Sequence, residues 1–179
     1  MASFFRRFRA ALGGSMASET VEADGLRLRP MHYSDLSAVM AIENASFGSP
    51  WRLSTYARAV TDGNHNFFVA ELDAKVIGYA GFWVEGKEAH IAKVAVHHRF
   101  RRRGFGTALL RHCLDHARCQ ALTQAFLEVR RANHAAQQLY ERFGFKFERV
   151  QPNTYPDNGE DALILVLDGL LEPKAASSP

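Results

Sequence analysis

The sequence predicts a mixed α/β domain, an α+β arrangement in which short strands and amphipathic helices follow one another along the chain. Strand-like runs are separated from segments in which apolar residues recur at helical spacing. Turn-forming residues mark the boundaries, and no internal repeat or low-complexity block is present. The predicted order is β-αα-βββ-α-β-α-ββ, and a chain of 179 residues with 47% hydrophobic residues can bury one core of this kind.

The first half of the domain is predicted to hold a strand, two helices and a hairpin. Its predicted elements are strand 25–30, a helix opened by Ser34-Asp35 with Leu36, Val39, Met40 and Phe47 on its apolar side, a break at 48–51, helix 53–60 with Ser54 as its cap, and strands 66–72 and 75–84. The first strand alternates apolar and basic residues, as a half-exposed strand does. Asp73-Ala74 lies between the last two strands and predicts a hairpin turn.

The second half is predicted to alternate strands and helices and to end on two strands. Its predicted elements are strand 89–96, helix 104–119, strand 125–130, helix 134–143, and strands 146–150 and 162–167. Helix 104–119 is predicted from apolar residues at helical spacing: Leu109, Leu110, Cys113, Leu114 and Ala117.

The positive charge of the chain belongs to its N-terminal segment. Residues 1–18 contain Arg6, Arg7 and Arg9 and no acidic residue, so the net charge of +3 is theirs and the rest of the chain is balanced. We therefore predict no nucleic-acid partner. No apolar run approaches the roughly 20 residues that cross a bilayer, so no membrane span is predicted.

The domain is expected to occupy residues 24–168, between a basic, flexible extension (1–23) and a flexible tail (169–179). The alternatives for the extension are a short surface helix, a transit peptide, or extra residues ahead of a true start at Met16. The two cysteines, Cys113 and Cys119, fall on different faces of one predicted helix, which disfavours a disulfide. This cysteine usage predicts a cytoplasmic protein.

Residues 99–110, RFRRRGFGTALL, place arginines and glycines where a predicted strand meets a helix. The first N–H groups of a helix lack intrahelical partners, and glycines let successive N–H groups point at one anion. The stretch therefore predicts a pyrophosphate-binding turn. It lacks the Gly-Lys-Ser/Thr of a P-loop, and Leu109 replaces the third glycine of a dinucleotide fingerprint. An ordinary glycine turn with a solvated basic face is the alternative.

Four motifs, in order, carry a family resemblance. Arg101-x-x-Gly104-x-Gly106 resembles the acyl-CoA pyrophosphate loop of the GCN5-related N-acetyltransferase (GNAT) family, and LEVRRANHAAQQLYERFGF (127–145) resembles its second signature. Ser-Pro-Trp (49–51) and the stretch 155–162 are similar to the ribosomal-protein-alanine N-acetyltransferase (RimI-type) subgroup. The resemblance covers about residues 24–168. It implies an N-acetyltransferase domain with a central mixed, mostly antiparallel sheet and flanking helices.

The resemblance implies acetyl-CoA as co-substrate. The residues implied to bind it are Val94, Ala95, Val96, Arg102, Arg103, Gly104, Phe105, Gly106, Thr107 and Asn133. The backbone of the strand residues is expected to pair with the pantetheine arm and polarise the thioester carbonyl. Asn133 also predicts a helix N-cap, and the two roles are compatible.

Acetyl transfer to an amine needs a base for the amine and a proton for the departing thiolate. A peptide α-amino group has a pKa of about 7.7–8.0, so a carboxylate near a strand end can serve as base, and Glu128 is the candidate. Tyr140, a phenol with an ordinary pKa near 10, is the candidate acid. The resemblance assigns the same two roles. The structural alternative for Tyr140 is a packing role, and those for Glu128 are a solvated strand position or an ion pair with Arg130.

The expected acceptor is the N-terminal α-amino group of a protein, most specifically the N-terminal alanine of a small-subunit ribosomal protein. By resemblance, Trp51 and Tyr155 line the acceptor groove. Lys93 and Thr154 depart from the subgroup pattern, and Lys93 is expected near the acceptor groove or the cofactor. A small-molecule amine acetyltransferase and a non-catalytic CoA-binding regulatory module are alternatives. The presence of both Glu128 and Tyr140 disfavours the module.

No metal is expected. His112, His116 and Cys119 share one helix face at a spacing that could hold a metal ion. Because no further ligand cluster accompanies them, we interpret them as solvated helix side chains. The sequence leaves the oligomeric state open.

Overall fold

The computed structural model describes residues 21–23, 25–61 and 66–171, which contain four α-helices and eight strands. The helices are α1 (Leu36–Ser46), α2 (Leu53–Thr61), α3 (Phe105–Cys119) and α4 (His134–Phe143). The strands are β1 (Val21–Ala23), β2 (Leu26–Pro30), β3 (Phe67–Leu72), β4 (Lys75–Glu85), β5 (Glu88–Val96), β6 (Gln124–Arg130), β7 (Lys146–Tyr155) and β8 (Glu160–Leu167). Short 3₁₀ helices, Tyr33–Asp35 and His98–Phe100, precede α1 and α3.

The chain forms two compact units. Of the described residues, those up to Trp83 and Ala92–Cys113 form the first unit, whereas Val84–Ile91 and those from Leu114 to Leu171 form the second. Pairs β1–β2, β2–β3, β3–β4, β6–β8 and β7–β8 are antiparallel, whereas β5–β6 is parallel. The predicted mixed α/β class with mostly antiparallel strands is therefore confirmed.

In the first unit, β1, β2, β3 and β4 are neighbours in that order and pair in an antiparallel meander. Asp73 and Ala74 have φ angles of 48° and 59°, the left-handed conformation of a two-residue turn whose twist matches that of the strands. The predicted hairpin is thus confirmed.

The apolar core of the first unit is built from one face of α1 together with side chains of α2 and of the strands. Its buried members are Met31, Leu36, Val39, Ile42, Tyr56, Ala59, Phe67, Val69, Tyr79 and Ala95. An ion network lies beside this core: the Arg29 guanidinium donates to Asp35 at 2.7 and 2.9 Å and to Glu71 at 2.7 and 3.1 Å. These bonds tie β2 to the first 3₁₀ helix and to β3.

In the second unit, β6 pairs with β5 over Glu88–His90 and Gln124–Phe126, and with β8 along its whole length. Strand β7 completes the unit by pairing with β8. Helix α4 ends at Phe143 and is capped by Gly144, whose φ of 95° is the left-handed conformation that glycine adopts without strain. The helix occupies the predicted range.

One strand was not predicted, and another is much longer than predicted. Residues 21–23 were predicted to belong to the N-terminal extension. They pair with β2 as strand β1. Three residues are too few to show a period-2 pattern. Strand β7 runs to Tyr155, whereas the predicted strand ended at 150. Its register against β8 shifts twice, and these shifts break the alternation of side chains from which a strand is predicted. Residues 1–20 and 172–179 lie outside the described residues.

Three side chains differ from their predicted positions. Helix α2 begins at Leu53, so Ser54 lies inside its first turn and is not the cap. Phe47 follows the last residue of α1 in an extended conformation instead of lying within the helix. His112 is buried, with its ring 4.5 Å from that of Phe68, so it is not a solvated side chain.

Candidate functional site

The predicted pyrophosphate turn lies in the first unit, directly before α3. Arg102 and Gly104 have φ angles of 62° and 88°, so the backbone enters the left-handed region twice before the helix starts. The Ala108 N–H donates to the Gly104 carbonyl at 3.0 Å and closes the first helical turn. The N–H groups of residues 105–107 belong to the turn in which a helix supplies no acceptor, at the positive end of its dipole. This geometry is suited to an anion.

The three arginines before the turn differ in their contacts. Arg101 donates from Nε to the Val96 carbonyl at 2.9 Å and from Nη2 to Ser46 Oγ at 3.1 Å, so it braces the connection between β5 and α3. Arg102 and Arg103 are exposed. The Arg103 guanidinium carbon lies 5.3 Å from the centre of the Phe105 ring. Arg102 and Arg103 therefore present their charge to solvent beside the turn.

The strand residues predicted to bind the cofactor lie at the end of β5 in the first unit. Ala95 is buried, whereas Val94 and Val96 are half-buried on the opposite face. The Val96 carbonyl already accepts from Arg101, and the next residue, His97, donates its N–H to the Ile77 carbonyl at 2.8 Å. Strand β5 thus leads, through the 3₁₀ helix His98–Phe100, into the glycine turn before α3.

Trp51, a predicted acceptor-groove residue, lies in the connection between α1 and α2 and is half-buried. Its ring stacks on Trp83 at 6.4 Å and tilts against Tyr56 at 5.6 Å. Its backbone N–H donates to Glu43 Oε1 at 2.7 Å. Its position is therefore fixed both by aromatic packing and by a buried carboxylate.

Glu43 on α1 is that carboxylate, and its side chain has 0% exposure. Lys93 Nζ lies 3.1 Å from Glu43 Oε1. Tyr56 donates its hydroxyl to Oε2 at 2.9 Å, and the Tyr79 hydroxyl makes a short hydrogen bond to the same oxygen. Burial raises the pKa of both phenols well above their ordinary range, so both remain protonated donors.

In the second unit, Glu128 on β6 is paired with a histidine. His90 Nε2 lies 2.7 Å from Glu128 Oε2, and His90 Nδ1 lies 3.1 Å from Glu85 Oε1. The His90 ring stacks on Phe126 with 4.4 Å between centroids. The Glu128 side chain is 32% exposed and the His90 side chain 20%. The pair is thus held in place by packing yet remains accessible to water.

The two groups shift each other's pKa. The hydrogen bond from His90 lowers the pKa of Glu128 and outweighs the opposing effect of burial. Burial alone would lower the pKa of His90, but the hydrogen bonds to Glu128 and Glu85 raise it above its ordinary value. The two sites therefore titrate as a coupled pair in which Glu128 is the anionic member.

The two predicted residues on α4 and its N-terminus are both anchored. Tyr140 is 8% exposed, and its ring packs against Phe145 at 5.8 Å between centroids. Asn133 Oδ1 accepts from the Ala136 N–H at 3.2 Å, which confirms the predicted N-cap.

Tyr155, the second predicted acceptor-groove residue, lies under an arginine in the second unit. The Arg130 guanidinium carbon is 3.9 Å from its ring centre, and burial raises the pKa of Tyr155 to about 12 against the effect of that charge. Asp157 accepts from Arg130 at 2.7 Å and Glu160 at 3.1 Å. Arg130 is thus held by these two carboxylates, and Glu128 by His90. The alternative in which Glu128 pairs with Arg130 is wrong.

The partners of the predicted residues were not predicted from the sequence. In the first unit, Glu43 accepts a hydrogen bond from Trp51 and forms an ion pair with Lys93. In the second, His90 is hydrogen-bonded to Glu128. His90 and Glu128 occupy strands that pair in parallel, yet they are 38 positions apart in sequence. A signal for His90 was its place on the half-exposed face of a strand that also carries the residues predicted to bind the cofactor.

Two further properties follow from the part of the chain that the structure describes. Within residues 21–23, 25–61 and 66–171, no group of three or more His, Cys, Asp or Glu side chains could hold a metal ion. No helix among these residues is long and apolar enough to cross a membrane.

The profile of the acetyltransferase (GNAT) family matches residues 36–145, a segment that contains Trp51, the glycine turn before α3, Glu128 and Tyr140. The chain therefore belongs to the GNAT family. It is an N-acetyltransferase, an enzyme that transfers an acetyl group to an amine.

Named relatives define the subgroup that the chain resembles. It is 34% identical over 139 residues to the putative [ribosomal protein bS18]-alanine N-acetyltransferase of Bacillus subtilis, with 77% of this chain and 92% of the relative covered. It is 35% identical over 136 residues to the [ribosomal protein bS18]-alanine N-acetyltransferase of Escherichia coli K12, with 75% and 91% covered. The predicted resemblance to this subgroup is confirmed.

Two solved structures have a similar fold. The crystal structure of the Escherichia coli ribosomal-protein-S18-alanine N-acetyltransferase matches with a TM-score of 0.74 at 29% identity, covering 86% of this chain and 99% of that one. The structure of Ard1 from Thermoplasma volcanium matches with a TM-score of 0.76 at 27% identity, covering 80% and 97%.

Proposed function

We propose that the protein transfers the acetyl group of acetyl-CoA to the N-terminal α-amino group of a protein, and that its substrate is the N-terminal alanine of a small-subunit ribosomal protein. The Glu128–His90 pair is the observation that carries the proposal. It supplies an accessible proton acceptor for an amine whose pKa is about 7.7–8.0. The names of the relatives from Bacillus subtilis and Escherichia coli support the choice of acceptor.

The donor is proposed to bind at the turn before α3 and along the end of β5. The N–H groups of Gly104, Phe105, Gly106 and Thr107 would hold the pyrophosphate, with Arg102 and Arg103 adding positive charge. The backbone of Val94–Val96 would pair with the pantetheine arm and polarise the thioester carbonyl. Asn133 caps α4 in the structure and is proposed to contact CoA as well.

Glu128 is proposed as the general base. Its lowered pKa keeps it ionised at neutral pH, which provides an acceptor but makes the isolated carboxylate a weak base. His90 compensates for this weakness: once His90 is neutral, the pair can take up one proton from the amine and share it between the two groups. The α-amine needs this help only modestly, because part of it is already neutral near pH 7.5.

Tyr140 is proposed as the general acid. After the amine nitrogen bonds to the thioester carbon, the C–S bond breaks and the CoA thiolate leaves. The Tyr140 phenol gives its proton to that sulfur. Packing of its ring against Phe145 orients the phenol.

The acceptor is proposed to be recognised by Trp51 and Tyr155. Both are half-buried aromatic side chains, and each is held by a charged group: Trp51 through its backbone by Glu43, and Tyr155 by Arg130. Aromatic walls suit an extended N-terminus with a small first side chain. A lysine side chain, with an ordinary pKa near 10.4, is almost wholly charged at pH 7.5 and would be a poorer nucleophile.

Residues 24–168, extended by β1, are proposed to form the catalytic domain. A cytoplasmic location is proposed because Cys113 and Cys119 are not joined in a disulfide.

The test is a peptide series that begins with alanine and contains one internal lysine, offered with free and with blocked N-termini. Mass spectrometry should place the acetyl group on the α-amine of the free peptides. Acetylation of blocked peptides at lysine with equal efficiency, or a clear preference for small amines, would overturn the acceptor assignment.

The donor assignment is tested separately by thermal unfolding. Acetyl-CoA at 100 times its dissociation constant should stabilise the protein by roughly 2.7 kcal/mol. Gly106→Asp places a side chain and a negative charge at the proposed phosphate site and should abolish the shift. Thr61→Ser, outside the turn, is the control that should keep it.

A further inference from the structure

Lys93 on β5 contacts both aromatic side chains of the connection between α1 and α2. Its Nζ lies 3.8 Å from the centre of the Phe47 ring and 4.8 Å from that of Trp51. The same ammonium lies 3.1 Å from Glu43 Oε1, and its side chain is only 10% exposed. One cation is therefore shared by a carboxylate and two rings.

The Lys93 ammonium contacts residues near both ends of the connection between α1 and α2. Phe47 is the first residue after α1, and Trp51 comes four positions later, after the exposed stretch Gly48–Pro50. Trp51 is fixed twice, because its ring faces Lys93 and its backbone N–H donates to the carboxylate that Lys93 neutralises. Glu43 and Lys93 thus act on Trp51 together.

We propose that Lys93 is a positioning residue that, with Glu43, holds Trp51 in the conformation that receives the acceptor, and thereby sets the affinity of the enzyme for the acceptor amine. This inference rests on the proposed function, in which Trp51 lines the acceptor site. Lys93 would not contact the acceptor; it would act through Trp51.

The charges explain why Lys93 cannot be removed without effect. A buried carboxylate is stable only when its charge is compensated and its oxygens are hydrogen-bonded. Without the ammonium, Glu43 keeps three neutral donors but loses the charge that faces Oε1. Oε1 is also the oxygen that accepts from the Trp51 N–H, so the change acts on Trp51. The cation–π contacts with Phe47 and Trp51 are lost as well.

Lys93 also connects this cluster to the proposed donor strand. It directly precedes Val94, the first of the strand residues assigned to acetyl-CoA, and its side chain projects from the strand face opposite to that of Val94. A substitution that neutralises the Lys93 side chain therefore leaves the proposed donor-binding backbone in place. Acceptor binding and donor binding should respond differently.

The experiment uses three variants of the full chain. Lys93→Met removes the charge while keeping the length of the side chain. The double variant Lys93→Met/Glu43→Gln removes both charges and so relieves the uncompensated carboxylate. Lys75→Met makes the same chemical change at an exposed lysine of β4 and is the matched control.

Two readouts separate positioning from a general structural role. Lys93→Met should raise the acceptor KM about tenfold, equivalent to ~1.4 kcal/mol, without changing the acetyl-CoA dissociation constant. The double variant should recover much of this loss. In protein labelled with 5-fluorotryptophan, whose two tryptophans give two ¹⁹F resonances, the Trp51 resonance should move in Lys93→Met and return toward its original position in the double variant.

The outcomes are distinct. An acceptor KM and a Trp51 resonance in Lys93→Met that match those in Lys75→Met would overturn the proposal, as would a moved resonance with an unchanged acceptor KM. Equal losses in acceptor and acetyl-CoA binding would show a general structural defect and would also overturn it. If the wild-type enzyme acetylates no peptide N-terminus, the proposed function fails. The two readouts are then applied with the amine that it does acetylate.

Discussion

Glu43 and Glu128 are two carboxylates that each pair with a basic side chain, in different units and in very different surroundings. Glu43 has a side-chain exposure of 0% and accepts from a lysine, a backbone N–H and two tyrosines. Glu128 is 32% exposed and pairs with a histidine whose other nitrogen faces Glu85 at the surface. The partner of Glu43 is a lysine, whereas the partner of Glu128 is the side-chain type that titrates near neutral pH.

The difference shows how the environment of a carboxylate decides its role. A fully buried carboxylate with fixed donors cannot change its charge or move without a large loss of stability, so Glu43 is suited to hold neighbouring residues in place. A half-exposed carboxylate beside a titrating histidine can exchange a proton with a substrate and then with water. Glu128 is therefore suited to acid–base chemistry.

The largest expected effect comes from removing the proton acceptor. Glu128→Gln should lower kcat by about 10²–10⁴-fold, because the amide cannot accept the proton of the amine. The loss should shrink as pH rises, since the amine then deprotonates unaided. Steady-state kinetics from pH 6.5 to 9.5 measure both effects, with Glu148→Gln at an exposed position of β7 as control. A wild-type rate at neutral pH would remove Glu128 from the mechanism.

The next effect is on stability and belongs to the other carboxylate. Glu43→Gln removes the carboxylate that faces the buried Lys93 ammonium, and breaking a buried ion pair typically costs about 3–5 kcal/mol. The urea midpoint should fall accordingly, whereas Glu128→Gln, at a more exposed pair, should cost less than about 1 kcal/mol. Equal midpoints for Glu43→Gln and the wild type would show that burial does not distinguish the two carboxylates.

The two carboxylates also show which features could be predicted from the sequence and which could not. Local features could be predicted: the turn at Gly104, the N-cap at Asn133 and the hairpin at Asp73-Ala74 each depend on neighbouring residues. Glu128 was also predicted as the candidate base, through a motif. Its partner was not, because His90 lies 38 positions away and only strand pairing brings the two together.

Glu43 and Lys93 illustrate the limit more strongly. Glu43 lies among the buried residues of α1, and nothing in the neighbouring sequence marks it as buried. Its burial depends on donors from α2, β4 and β5. No local pattern reports those contacts. Among the strands, β7 was predicted too short for a related reason: its register shifts come from pairing with β8 and not from its own sequence.

A smaller effect concerns the pH at which the Glu128 pair loses its charges. The pKa of His90 is raised above its ordinary 6.5 and that of Glu128 is lowered below its ordinary 4.5. The stability from His90 is complete below about pH 6.5 and is lost as pH rises through its raised pKa. The stability from Glu128 is complete above about pH 4.5 and is lost as pH falls through its lowered pKa.

Histidine NMR checks this window. His90 should titrate above pH 6.5 in the wild type and at lower pH in Glu128→Gln. His97 is an internal reference with the opposite shift, because slight desolvation and the neighbouring positive charges lower its pKa. A His90 titration that is unchanged by Glu128→Gln would contradict the coupling of the two groups.

The smallest expected effect tests how open the Glu128 pair is to solvent. Glu85, the outer partner of His90, has a side-chain exposure of 57%, and ion pairs as exposed as this contribute about 0–1 kcal/mol. Glu85→Gln should therefore lower the pKa of His90 by less than Glu128→Gln does and should leave kcat nearly unchanged. High salt should have a similar small effect on the wild type, because it screens the exposed Glu85 more than the partly buried Glu128. If Glu85→Gln instead reduced kcat as strongly as Glu128→Gln, Glu85 would take part in proton transfer. The proton acceptor would then comprise Glu128, His90 and Glu85 rather than Glu128 and His90 alone.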